Sequence, residues 1–244
     1  MTDDPGALKR AWMQVPEEVR TLIVDESQVL GRELAGVRTP RQLRKRLGDP
    51  ALSERVAQPL SPVLDRICEV VGQASVPINP AVGHTLVSAT SAVGSTLSSG
   101  MEAVGAIGIE VPPAAASAFA AAGAIGIAAG LVEFYVTAAT ITTELRAAGR
   151  YDPALLRTGL LHNYLHLSGP PDQDLSDGLK GRLALAVLRR VATRWVPLIG
   201  IPMSVRQANR DLARARRHSR ELAAASEGDE GHGESHRSSV TDGG

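Results

Sequence analysis

The sequence predicts an all-α protein, and three observations support that prediction. Apolar residues recur at helical steps of three, four or seven, helix-start and helix-stop signals separate these segments, and no convincing strand pattern is present. At 244 residues the chain is long enough for a sizeable core. We therefore expect a single helical, bundle-like domain over residues 6–225, with charge-poor helices in the centre and basic helices outside.

The N-terminal part of the chain contains three expected helices, at residues 16–34, at 41–47 and from Ser61 to the break at 76–80. Each begins at a proline beside a serine, threonine or acidic side chain, which is a common helix start because proline fits the first turn. Lys and Arg balance Asp and Glu over residues 1–69, at 11 each. This part therefore contributes helices but no net charge.

The centre of the chain is nearly free of charge. Residues 70–143 carry three charges, all glutamates, and no Lys or Arg. Residues 82–108 place apolar side chains on one helical face and serine or threonine on the other, and residues 114–143 are rich in alanine and glycine. A soluble helix normally carries charge on its outward face, so we expect these two segments to pack as a central hairpin.

Two other arrangements also explain this charge-poor centre. The helix over 82–108 has a weak polar face, which is typical of helices that lie on lipid, and its expected lipid contacts are Leu86, Val93 and Leu97. Residues 112–132 are 21 residues without charge, long enough to span a hydrocarbon core of about 30 Å. Alanine and glycine contribute little transfer free energy, so a constitutive span is the arrangement that we expect least.

Basic residues are concentrated in the C-terminal third. Residues 144–220 carry 14 Lys or Arg against 6 Asp or Glu, on helices expected at 153–167, 178–195 and 203–225. Such charge attracts phosphate groups. The residues expected to contact an anionic membrane are Arg206, Arg210, Arg214 and Arg217. Nucleic acid is not an expected partner, because no nucleic-acid-binding motif accompanies the charge. Residues 226–244 form an acidic Gly/Ser/His tail that we expect to be disordered.

From about residue 114 to residue 220 the order of features resembles the EcsC family, bacterial proteins named for one that is encoded beside an ABC transporter. The segments that carry the resemblance are the Gly/Ala stretch 123–130, Glu133, the segment 147–152 containing Tyr151 and Asp152, and the block 195–202 with Asn209 and Ala213. The chain departs from the family pattern at Glu133, where aspartate is usual, and at Gly149, which precedes Tyr151. The resemblance implies an all-helical fold, with a family-like core over about 70–220, and a membrane-transport context. It implies no reaction.

The expected function is that of a non-enzymatic cytoplasmic protein, peripherally associated with an anionic membrane, binding lipid or accompanying an ABC transporter or another membrane protein. The N-terminus has no apolar signal segment, the single cysteine, Cys68, fits a reducing compartment, and no complete catalytic motif or cofactor motif is present. Glu133 and Asn209 are the polar residues of interest in the core. For Glu133 we expect a structural partnership with an arginine of the last helices.

Two other functions remain open from the sequence. His162 and His166 lie four residues apart and share a helix face, so together with Glu133 they could form a metal site or an active site. The zinc-protease pattern would need glutamate at Asn163, and no third ligand is identifiable. The second alternative is a soluble helical scaffold whose charge-poor helices bind another protein.

Overall fold

The computed structural model describes residues 5–33, 45, 50–74, 79–93, 118–166, 177–194 and 201–234. All regular structure within these residues is helical, which confirms the predicted all-α fold. The helices are α1 (Pro5–Met13), α2 (Glu17–Glu33), α3 (Pro50–Gln73), α4 (Pro80–Val93), α5 (Ala118–Ala147), α6 (Pro153–Leu165), α7 (Asp177–Arg194) and α8 (Ile201–Glu234).

The Ala/Gly-rich helix α5 lies at the centre of the fold. It packs against α2, α3, α4, α6, α7 and α8, and every residue from Gly130 to Thr142 is buried. A helix that is apolar on all sides is stable in water only inside a core. The scarcity of charge in the centre of α5 therefore reflects burial within the protein.

Glycines on the neighbouring helices allow close packing against α5. A Cβ on Gly83 of α4 would lie 3.1 Å from Val136, and a Cβ on Gly159 of α6 would lie 3.2 Å from Ile141. Both distances are shorter than ordinary carbon contacts. The predicted pairing of α4 with α5 is present, while residues 94–117, which connect the two helices, lie outside the described residues.

One hydrophobic core joins all eight helices, from Ala11 in α1 to Ala223 in α8. Its largest fully buried side chains include Ile23 of α2, Leu60 of α3 and Phe134 of α5. Within the described segments, no helix combines the length and apolar character needed to cross a membrane.

Some predicted boundaries differ from the structure. Helix α3 does not begin at Ser61 but at Pro50, and it continues through Pro59 and Pro62. Burial of Leu60 and its neighbours offsets the backbone donors that the prolines lack. Helix α8 is described as far as Glu234, past the expected boundary at 226, and residues 235–244 lie outside the described part of the chain. Of the helix expected at 41–47, only residue 45 is described, and it is helical.

Residues 149–152, Gly-Arg-Tyr-Asp, form the connection from α5 to α6. Gly149 adopts φ +68°, and the N–H groups of Gly149 and Arg150 donate to the carbonyl oxygens of Arg146 and Leu145, each at 2.9 Å. Asp152 caps α6 by accepting a hydrogen bond of 2.8 Å from the N–H of Ala154. These residues end one helix and start the next.

The same connection is bound to the C-terminal end of α3. The guanidinium of Arg146 donates to the carbonyl oxygen of Gly72 at 2.6 Å and also to that of Ala74. It lies 4.9 Å from the ring centroid of Tyr151. Tyr151 thus has a structural role, which is to hold the arginine that caps α3.

Candidate functional site

Helix α8 has two distinct faces, and they form the two candidate sites of the molecule. The inner face contains Ala208, Asp211, Leu212, Ala215 and Ser219, all buried against α4, α5 and α6. The outer face carries exposed arginines. This separation follows from helical periodicity, since residues three or four apart lie on the same side.

A buried network of charges joins the inner face of α8 to α5 and α7. The Nε atom of Arg190 lies 3.2 Å from Oε1 of Glu133, and its Nη2 pairs with Oδ2 of Asp211. The side chains are 17%, 9% and 6% exposed for Arg190, Glu133 and Asp211 respectively. Burial alone would lower the pKa of Arg190, but Tyr164, Glu133 and Asp211 outweigh it and raise that pKa. The arginine therefore stays charged between two carboxylates.

Further polar groups complete this network. The guanidinium of Arg190 lies 4.8 Å from the ring centroid of Tyr164, a cation–π contact. The other oxygen of Asp211, Oδ1, accepts hydrogen bonds from Gln207 at 3.1 Å and from Arg214 at 3.4 Å. These contacts pair the carboxylates of Glu133 and Asp211 with the guanidinium groups of Arg190 and Arg214, so the buried charges have partners of opposite sign.

Glu133 has the partner type that its sequence position predicts, an arginine of the last helices. The arginine is Arg190 of α7. Arg189, the preceding residue, is exposed. Asn209 is joined to α4, because its Oδ1 lies 2.9 Å from Nδ1 of His84 and the ring N–H donates to it. Both polar residues of interest thus connect helices.

The two histidines expected to share a helix face are separated. Helix α6 ends at Leu165, and His166 is its exposed C-cap with φ 54°, so His166 does not continue the helical face. The ring of His162 stacks on that of His218 of α8, with centroids 3.6 Å apart and planes inclined by 19°. In the described part of the chain no three His, Cys, Asp or Glu side chains are grouped to hold a metal ion.

The expected lipid contacts divide into three groups. Leu86 is fully buried in the core beside α5, so its expected role in lipid contact was wrong; helical periodicity identifies an apolar face but not what covers it. Leu97 lies outside the described residues, and the side chain of Val93 is not described. Arg206, Arg210 and Arg217 are exposed on α8, whereas Arg214 is half-exposed and bonded to Asp211.

Sequence reasoning missed Asp211, Tyr164, His84 and His218. Asp211 had a visible signal, since it is the only acidic residue between 203 and 220, among six arginines. A lone carboxylate on the inward side of a basic helix suggests a buried partner. The other three give no such signal, because their contacts depend on how separate helices are arranged.

Comparison of the chain with protein-family models, with curated proteins and with solved structures gave no match. The resemblance to the EcsC family therefore stays a prediction.

Proposed function

We propose that the protein is a non-enzymatic, membrane-associated protein of the cytoplasm that binds an anionic lipid surface through the outer face of α8. The observation that carries this proposal is the exposure of Arg206, Arg210 and Arg217 on that face. At 100° per residue the three directions fall within about 40° of one another, and at 1.5 Å per residue they span about 16 Å. They can thus contact one flat surface together.

The three arginines on this face contribute together to binding of an anionic surface. Each Lys or Arg near an anionic leaflet contributes roughly 1 kcal/mol, and the guanidinium group also suits phosphate because it can donate two parallel hydrogen bonds. The buried contacts of Arg190 with Asp211 hold α8 in place, so little entropy is lost in ordering the helix when it binds.

The proposed binding is mainly electrostatic. The apolar residues of α8, such as Leu212, are buried against the core, so the outer face offers little apolar area for insertion into lipid. Leu86 belongs to the core and does not add to it. We therefore expect salt to remove most of the binding, since the Debye length falls from about 10 Å at 0.1 M to about 3 Å at 1 M. A partnership with an ABC transporter, suggested by the EcsC resemblance, is a further part of the proposal.

The test is co-sedimentation of the purified protein with vesicles of phosphatidylcholine alone and with phosphatidylglycerol added, at low and at high salt. The variant R206S/R210S/R217S removes the proposed surface. Arg214 is kept, because its loss would also disturb Asp211. The matched control is K9S/R55S/R157S, which removes the same number of positive charges from exposed positions on α1, α3 and α6.

We expect the α8 variant to lose about 3 kcal/mol of binding free energy, roughly a hundredfold in affinity, while the control variant keeps most of it. Equal loss in both variants would show that net charge matters and the α8 face does not. Wild-type protein that stays unbound on anionic vesicles at low salt would end the proposal.

A further inference from the structure

The stacked histidines His162 and His218 form a contact between α6 and α8 whose chemistry depends on pH. Their ring centroids are 3.6 Å apart and their planes are inclined by 19°, so the two rings are stacked face to face in direct contact. Both side chains are partly buried. Histidine is the side chain that changes charge near neutral pH.

The surroundings of the pair disfavour added positive charge. Nδ1 of His162 is buried and has no hydrogen-bond partner among the described residues, so a proton on that atom would have no acceptor there. Burial, and secondly His162, lower the pKa of His218. Glu221 acts in the opposite direction, with its Oε2 3.5 Å from Nδ1 of His218, but it is 74% exposed and solvent weakens its effect.

Other charged groups on the helices around the pair are engaged elsewhere or, like Arg157 of α6 and Arg217 of α8, are exposed to solvent. On α5, Glu144 pairs with Arg220 and Glu133 pairs with Arg190 of α7. On α4, His84 is bonded to Asn209. On α8, Arg214 is bonded to Asp211, and on α6, His166 is exposed at the helix end. Glu221 is the carboxylate that pairs with His218.

We propose that the His162–His218 stack is a pH-sensitive contact that holds α8 against α6 when both rings are neutral and weakens on acidification. Two charged rings at this separation would repel, and even one charge is partly desolvated there. Because the folded state binds a proton on His218 less readily than the unfolded chain does, stability is fully present above pH 6.5 and falls as the pH drops below that value. The inference is independent of lipid binding.

The test compares urea unfolding of the wild type and of His218→Phe between pH 7.5 and pH 5.5, without lipid. Phenylalanine keeps an aromatic ring that can stack but cannot titrate, and the other five histidines are common to both proteins. On acidification we expect the unfolding equilibrium constant to rise more for the wild type than for the variant. The binding of one proton can raise this constant by at most roughly tenfold per pH unit. His166→Asn, an exposed histidine at the end of the same helix, should keep the wild-type pH dependence.

A pH dependence of His218→Phe within twofold of the wild type would overturn the proposal. If that variant does not fold, NMR titration of the His218 ring in the wild type decides: a midpoint below 6.5 supports the proposal, and one at or above 6.5 overturns it.

Discussion

Replacing Arg190 by methionine should strongly destabilise the fold. Methionine keeps an unbranched apolar side chain but removes the charge that lies between Glu133 and Asp211, two carboxylates with side chains less than 10% exposed. Removing one partner of a buried ion pair typically costs about 3–5 kcal/mol, because the remaining charge stays desolvated. Loss of the cation–π contact with Tyr164 adds to this cost.

The measurement is urea unfolding at neutral pH, supported by thermal melting. For a chain of this size about 1 kcal/mol corresponds to 2–4 °C, so Arg190→Met should lower the melting temperature by about 6–20 °C. Arg189→Met is the matched control, since this neighbour on the same helix is exposed and should change stability by less than about 0.5 kcal/mol.

A triple variant separates the effect of charge from that of packing. In E133Q/R190M/D211N no buried charge remains at the network, and neutral replacements of a whole buried network cost much less than breaking it. We therefore expect the triple variant to recover most of the stability that Arg190→Met loses. If Arg190→Met stays within about 1 kcal/mol of the wild type, or the triple variant is no more stable than the single one, then the network does not stabilise the fold in this way.

Two further substitutions test local features. Burial raises the pKa of Glu26, whose Oε1 lacks a hydrogen-bond partner among the described residues. The folded protein therefore favours the protonated form, and the stability that this form contributes is lost as the pH rises above about 4.5. Glu26→Gln should then unfold at higher urea than the wild type at pH 7 but not at pH 4, whereas exposed Glu17→Gln should show no such difference; equal behaviour of the two variants would contradict this. Gly149→Ala should lower the free energy of unfolding by about 1–2 kcal/mol, because φ at this residue is +68°. The added Cβ would have no atom within 4 Å, so this cost comes from the backbone conformation and not from a clash. The control Gly181→Ala, inside α7 and in open space, should instead gain about 0.5–1 kcal/mol, and a gain at both positions would refute the backbone argument.

The sequence predicts burial well where a segment lacks basic residues. A stretch without Lys or Arg must avoid water, and α5 does so by lying inside the bundle. The same pattern could not identify the environment that replaces water, because a lipid tail and a leucine side chain are equally apolar. For that reason the pattern predicts a lipid contact for Leu86. The residue does lie on an apolar helical face, but that face is covered by the protein core.

The candidate sites show the same limit. Arg189 and Arg190 are adjacent and chemically identical, yet one is exposed and the other is buried between two carboxylates. Only the positions of α5 and α8 distinguish them, and those depend on contacts between residues distant in sequence. Local signals were sufficient at Asp152, where an aspartate before a proline caps α6 as such residues commonly do.

The central position of α5 has a consequence for how the chain is made. Helices α2, α3 and α4 all precede α5 in the sequence, and each packs against it. During synthesis their apolar faces stay uncovered until residues 118–147 have emerged. At about 5–20 residues per second, the interval between the end of α4 at Val93 and the end of α5 at Ala147 is roughly 3–10 s. During that interval the nascent chain exposes apolar surface of the kind that chaperones bind. A fragment that ends between Val93 and Ala147 would be prone to aggregate, because this surface would stay uncovered.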